Sequence, residues 1–97
     1  MVKLTPFDAA KYLDSKEAIA AYLTDALEDG DPDAVTEAIG TIARAQGMTI
    51  IAREADLSRE NLYKALRAGG HPEFDTVMRV LHALGVKLVA KPVLEHA

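Results

Sequence analysis

Met48–Arg67, MTIIAREADLSRENLYKALR, places apolar and polar residues where two short helices joined by a tight turn need them. Ile51, Ala52 and Ala55 put one apolar edge on a first helix, and Ala52 is small enough for a second helix to cross close by. Leu57 plugs the turn. Ser58 then stands at the N-cap of the second helix, where a hydroxyl accepts from an orphan backbone N–H. Leu62, Ala65 and Leu66 recur at helical spacing and hold that helix against a core. Its other face carries Arg59, Glu60, Asn61, Tyr63, Lys64 and Arg67, a set able to hydrogen-bond base edges and phosphates in a major groove. Thr49, at the N-terminus of the first helix, is expected to hold a phosphate through its hydroxyl and the helix-end N–H groups. The residue that opens such a turn is commonly Gly because the backbone there takes φ > 0. Here it is Asp56, one of the few other residue types enriched in that conformation. The pattern reads as a DNA-reading helix-turn-helix over residues 48–67, although two short helices around a turn also occur in bundles that never touch DNA.

Composition bounds the rest of the chain. Ninety-seven residues with 49% hydrophobic content suit one soluble domain, 1–97, with a single modest core. There is no Cys, so neither a disulfide framework nor thiolate chemistry is available. The longest apolar run falls far short of the ~20 residues that span a bilayer, and the N-terminus lacks the layout of a signal peptide. A cytoplasmic, nucleoid-associated protein with no membrane partner is therefore expected. The net charge of −4 argues at first sight against nucleic acid, because Lys and Arg neutralise phosphate. The distribution of that charge along the chain points the other way. Residues 1–43 hold three Lys against nine Asp or Glu, whereas residues 44–97 hold eight Lys or Arg against six acids. Such asymmetry points to two partners, one cationic and one anionic. Helix N-termini attract acids and account for Asp8, Asp14, Glu17, Asp31 and Asp33. They do not account for Asp25, Glu28 and Asp29 at a helix end, and these three are the candidate surface for the cationic partner.

Working outward, Thr5-Pro6-Phe7-Asp8 reads as a helix start running to about Leu13, after an extended Val2–Thr5 segment. Asp14 is expected to cap the next helix with Glu17 three residues on, and Ile19, Tyr22, Leu23, Ala26 and Leu27 form its buried stripe up to Gly30. Asp31-Pro32 starts another helix with Val35, Ala38, Ile39, Ile42 and Ala43 on one face and Gly47 past its end. After the helix-turn-helix, Ala68–Pro72 is a loop, and Phe74, Val77, Met78, Leu81 and Leu84 line a last helix closed by Gly85. Val86–Lys91 is β-branched and loosely alternating, which predicts a short strand paired with Val2–Thr5 or with a second copy. The fold class is mainly α: five helices, an extra N-terminal helical segment and a short C-terminal β-strand. One short recognition helix contacts too few base pairs to single out an operator, so a homodimer on two half-sites is expected. Val86, Leu88 and Val93 are its candidate interface.

Four stretches match, in order, a known family: Leu4–Ala10 with Tyr12-Leu13, Ala18–Leu23, Leu57–Leu66, and Pro72–Val77 running to Ala83-Leu84-Gly85. Over nearly its whole length the chain resembles the small antidote proteins of addiction modules, HigA-like antitoxins with a lambda-repressor-like helix-turn-helix. The resemblance implies a small basic toxin of the RelE/ParE type as partner, and repression of the protein's own operon through a palindromic double-stranded DNA operator. Asp56 and Asn61 stand where Gly is frequent in the family, and His71 stands where Asn usually precedes the Pro. Asn61 and His71 lie close to the DNA surface that the resemblance implies.

Catalysis is not expected. The three histidines are scattered at 71, 82 and 96, no cluster has metal-ligand spacing, and no metal, cofactor or small-molecule substrate is implied. His82 suits the last turn of a helix, Ser15 and Ser58 suit helix starts, and Tyr22 and Met78 lie on core stripes. Two other readings of the residues stay open: a stand-alone prophage-like repressor, and a helical protein-interaction module without DNA binding.

Overall fold

The computed structural model describes residues 13–94. They form five helices: α1 (Lys16–Asp29), α2 (Pro32–Gln46), α3 (Met48–Glu54), α4 (Arg59–Leu66) and α5 (Phe74–Ala83). The helical segment expected over Thr5–Leu13 lies outside the described residues except for Leu13, as does Val2–Thr5. Leu13 itself is buried, and its carbonyl accepts from Gln46 Nε2 at 2.9 Å, which ties the start of the described chain to the end of α2.

The cap of α1 lies one residue later than the sequence suggests. Ser15, in extended backbone, accepts from Ala18 N–H at 3.0 Å. With Ser15 as the N-cap the N3 residue is Ala18, so the expected capping box of Asp14 with Glu17 does not form. Either residue type can cap, and here the hydroxyl occupies the position while the carboxylate keeps its solvent. Asp31 caps α2 as expected, accepting from Asp33 N–H at 3.1 Å, with Pro32 at the first helical position.

The middle of the bundle is α2, which buries Ala38, Ile39, Gly40, Thr41, Ile42 and Ala43 and packs against α1, α3 and α4. The Thr41 hydroxyl donates to the Glu37 carbonyl at 3.0 Å, so this polar group enters the core satisfied. Gly40 lets the end of α4 approach closely: a Cβ there would stand 3.0 Å from the Leu66 carbonyl oxygen. Leu13, Ile39, Ile42, Leu62 and Val80 are the largest fully buried side chains. Each contributes about 1.5–3 kcal/mol through burial. They come from α2, α4, α5 and the segment before α1, and the same cluster takes in Ile19 and Leu23 of α1 and Ile51 and Ala52 of α3, so one core holds all five helices.

The stripe of α5 is rotated from the expected one. Val80, Leu81 and Leu84 are buried and Val77 is half-buried, but Phe74 is 69% and Met78 43% exposed. Apolar residues flank the stripe on both sides, so two overlapping sets at helical spacing compete, and packing against α3 selects the later one. Leu27, assigned to the α1 stripe, is likewise 41% exposed because it lies in the last turn of α1, at the mouth of a groove.

A Schellman motif ends α5, with Gly85 at φ +82, its N–H donating to His82 O at 3.0 Å and Val86 N–H donating to Leu81 O at 3.1 Å. The motif turns Val86 back onto the core, and Leu88 follows it into partial burial. The strand expected over Val86–Lys91 does not form: no strand occurs among the described residues. An isolated strand has no ladder partner for its backbone groups, and none is offered among the described residues.

Candidate nucleic-acid interface

Two helices and one turn build the surface. Met48, Ile51 and Ala52 of α3 are buried, as is Ala55 just past its end; Leu62 and Leu66 anchor α4. The turn is a second Schellman motif. Asp56 N–H donates to Arg53 O at 3.2 Å and Leu57 N–H donates to Ala52 O at 2.8 Å, with Asp56 left-handed at φ 59. Leu57 packs against the core where that motif places its hydrophobic contact.

The left-handed turn gives a stability ordering. Asp56→Gly is expected to fall within about 1 kcal/mol of the parent on the stabilising side. Asp56→Val, β-branched at φ > 0, is expected to cost about 1–2 kcal/mol. Thermal melts of the two variants would reveal a misplaced turn if their order were reversed.

A further brace comes from α5. The Arg79 guanidinium donates to the Asp56 and Ala55 carbonyls at 3.4 and 3.5 Å and pairs with Asp75 at 3.7 Å. A cation at the carboxyl end of α3 also complements its dipole. Sequence reasoning missed this residue. Arg79 stands four residues after Asp75, which marks an ion pair within the helix, but nothing local points to a turn 23 residues earlier.

Ser58 caps α4 by accepting from Asn61 N–H at 3.0 Å, so its oxygen is committed to the helix start. Arg59, Glu60, Asn61, Tyr63, Lys64 and Arg67 are all exposed, forming a continuous polar face opposite Leu62 and Leu66. Within it, the Arg59 guanidinium lies 5.1 Å from the centre of the Tyr63 ring, and its Nη2 donates to the Tyr63 hydroxyl at 3.4 Å. At an exposed site such stacking is worth about 0.5–1 kcal/mol. It orders a side chain that otherwise loses its rotamer freedom on contact with a partner.

The other expected residues sit on other elements. Thr49 is exposed in the first turn of α3, beside Ile50, which is exposed too. His71 lines a groove with Leu27, Pro32 and Phe74. Asp25, Glu28 and Asp29 are exposed on α1. Of the residues expected at a dimer interface, Val86 and Leu88 are half-buried against this chain's own core, whereas Val93 is 85% exposed.

With this geometry in place, a family model described as "Probable addiction module antidote protein" matches residues 3–92. The chain belongs to this family. An antidote protein has a toxin as its counterpart, so the polarised charge belongs to a molecule with at least one protein partner. The antidote protein is also 46% identical, over 85 residues covering 88% of each chain, to an uncharacterized protein of Haemophilus influenzae. No solved structure shows a significant match. The match to the family takes in α3, α4 and the turn between them, the acidic α1 and the segment after α5 together. Among the described residues, no helix of the antidote protein is long and apolar enough to cross a membrane.

Proposed function

We propose that this antidote protein is a non-enzymatic, DNA-binding antitoxin that neutralises a small basic toxin of the RelE/ParE type and represses its own operon. The observation that carries the DNA part is the polar face of α4, ordered by Ser58 at its start and by the Arg59–Tyr63 stack along it. Presented N-terminus first to a major groove, α4 offers Arg59, Glu60 and Lys64 to base edges and nearby phosphates, with Asn61 beside them. Arg67, just past the end of α4, and the Thr49 hydroxyl meet backbone phosphate, and the Tyr63 ring holds Arg59 in place.

Acids on α1 keep that helix away from DNA and leave it to the cationic toxin. A homodimer on a palindromic operator supplies the second recognition helix, since each copy reads only a few base pairs. Cytoplasmic, nucleoid-associated residence follows from that role. Family membership favours this reading over a stand-alone repressor.

The test is a salt-titrated mobility shift of the full chain on the DNA immediately upstream of its gene. A specific complex whose affinity falls with a log–log slope of about −0.9 per neutralised phosphate is the expected outcome. An unshifted operator at low salt would leave α3 and α4 as structural helices only and would return the protein to the interaction-module reading.

A further inference from the structure

A groove of about 390 Å³ opens between the end of α1, the start of α2 and the start of α5. Leu27, Val35, Phe74, Val77 and Leu88 supply apolar walls. Phe74 at 69% exposed and Leu27 at 41% stand on it with most or much of their surface in water. Apolar surface of this kind, gathered around a concavity and bordered by charge, marks an interaction site. Leu27 and Leu88 also line a second hollow along α1, which they share with Glu28, Lys87 and Lys91.

His71 is the titratable residue in the lining itself, and the residues next to the lining in sequence have one dominant sign. Glu28 and Asp29 follow Leu27, Asp31 and Asp33 flank Pro32, and Glu73 precedes Phe74; all five are exposed. Lys87, next to Leu88, is the cation among the chain neighbours of these lining residues. A second copy of this chain would bring the same carboxylates against these, a like-charge arrangement that opposes self-association. The complementary occupant is a cationic helix with an apolar stripe.

We propose that the groove between α1, α2 and α5 is where the toxin docks, seating a basic amphipathic helix with its apolar stripe on Leu27 and Phe74 and its cations against the five carboxylates. This rests on the antitoxin reading above and locates its protein partner. It also divides the molecule's work: α4 serves DNA while the groove serves the toxin.

Leu27 and Phe74 are already exposed, so Leu27→Glu and Phe74→Glu leave the buried core intact. The experiment uses the full chain with the small basic protein encoded beside its gene, and reads binding by calorimetry, growth rescue on co-expression, thermal melting, operator shift and sedimentation. Each variant is expected to bind the basic protein at least tenfold more weakly and to lose rescue, with melting temperature and operator affinity unchanged. Binding of the parent protein should weaken with added salt. Variants that bind and rescue like the parent would overturn the groove assignment while leaving the antitoxin reading standing. A parent chain that fails to bind the basic protein would instead remove the antitoxin reading and the groove with it. Dissociation of a parent dimer into monomers by these substitutions, with toxin binding retained, would assign the groove to a second copy and overturn the proposal.

Discussion

Gly70→Ala is expected to destabilise the protein by about 2–3 kcal/mol, the upper part of the range for core overpacking, and so to lower its melting temperature by about 10–20 °C. Gly70 is buried beneath the loop that leaves α4. A Cβ added there would stand 2.6 Å from the Ala65 carbonyl oxygen, 2.9 Å from that of Arg67 and 3.1 Å from that of Lys64. All three atoms are backbone, so no rotamer change relieves the contact; either the loop lifts or the end of α4 unwinds. The neighbouring Gly69 supplies a control. Its φ is +78 but nothing lies within 4 Å of a built Cβ, so Gly69→Ala meets backbone strain alone and costs about 1 kcal/mol. Circular dichroism melts of the two variants separate steric exclusion from strain. Equal losses would mean that the loop does not rest on α4 as described.

Arg59→Ala is expected to have the largest effect on DNA binding. Loss of a side chain at base edges costs about 1–3 kcal/mol per half-site and relaxes sequence preference. A dimer on a palindrome loses the contact twice. The combined loss of about 2–6 kcal/mol corresponds to at least a thirtyfold rise in Kd. Removing Arg59 also removes the partner stacked on Tyr63, so the exposed face of α4 loses its one ordered cation–ring pair among the described residues. Arg67→Ala tests the other half of the assignment: all sequences should weaken alike and the salt slope should flatten by about one unit per half-site. Mobility shifts on the upstream DNA and on scrambled competitor distinguish the two variants. If Arg59→Ala bound both DNAs like the parent, α4 would not enter the groove with its N-terminal end.

The pair of short helices α3 and α4 with their turn was readable from residues 48–67 because its determinants are local. Ile51, Ala52 and Ala55, then Leu62 and Leu66, recur at helical spacing, and their burial follows from that periodicity, while Ile50 and Tyr63 fall on the exposed sides. The cap at Ser58 and the left-handed Asp56 are equally local, since each satisfies backbone groups within a few residues. Family resemblance was carried by the same stretch together with the segments on either side of it.

Where the pattern had two solutions, only packing chose. Phe74, Val77, Met78, Val80, Leu81 and Leu84 offer α5 two overlapping stripes, and the angle at which it meets α3 buries Val80 while leaving Phe74 in water. Asp14 and Ser15 are both competent caps, and the competition was settled in favour of the hydroxyl. The segment after α5 has strand-like composition, yet the Schellman turn at Gly85 directs Val86 and Leu88 onto their own core, where no second strand lies among the described residues. The brace from Arg79 and the groove around Leu27 and Phe74 were beyond local inspection altogether, because their parts are separated by tens of residues. Residues three or four apart declare their helix face by their spacing alone. Which face meets which neighbour depends on free energies shared between distant elements, and those exist only once the chain has packed.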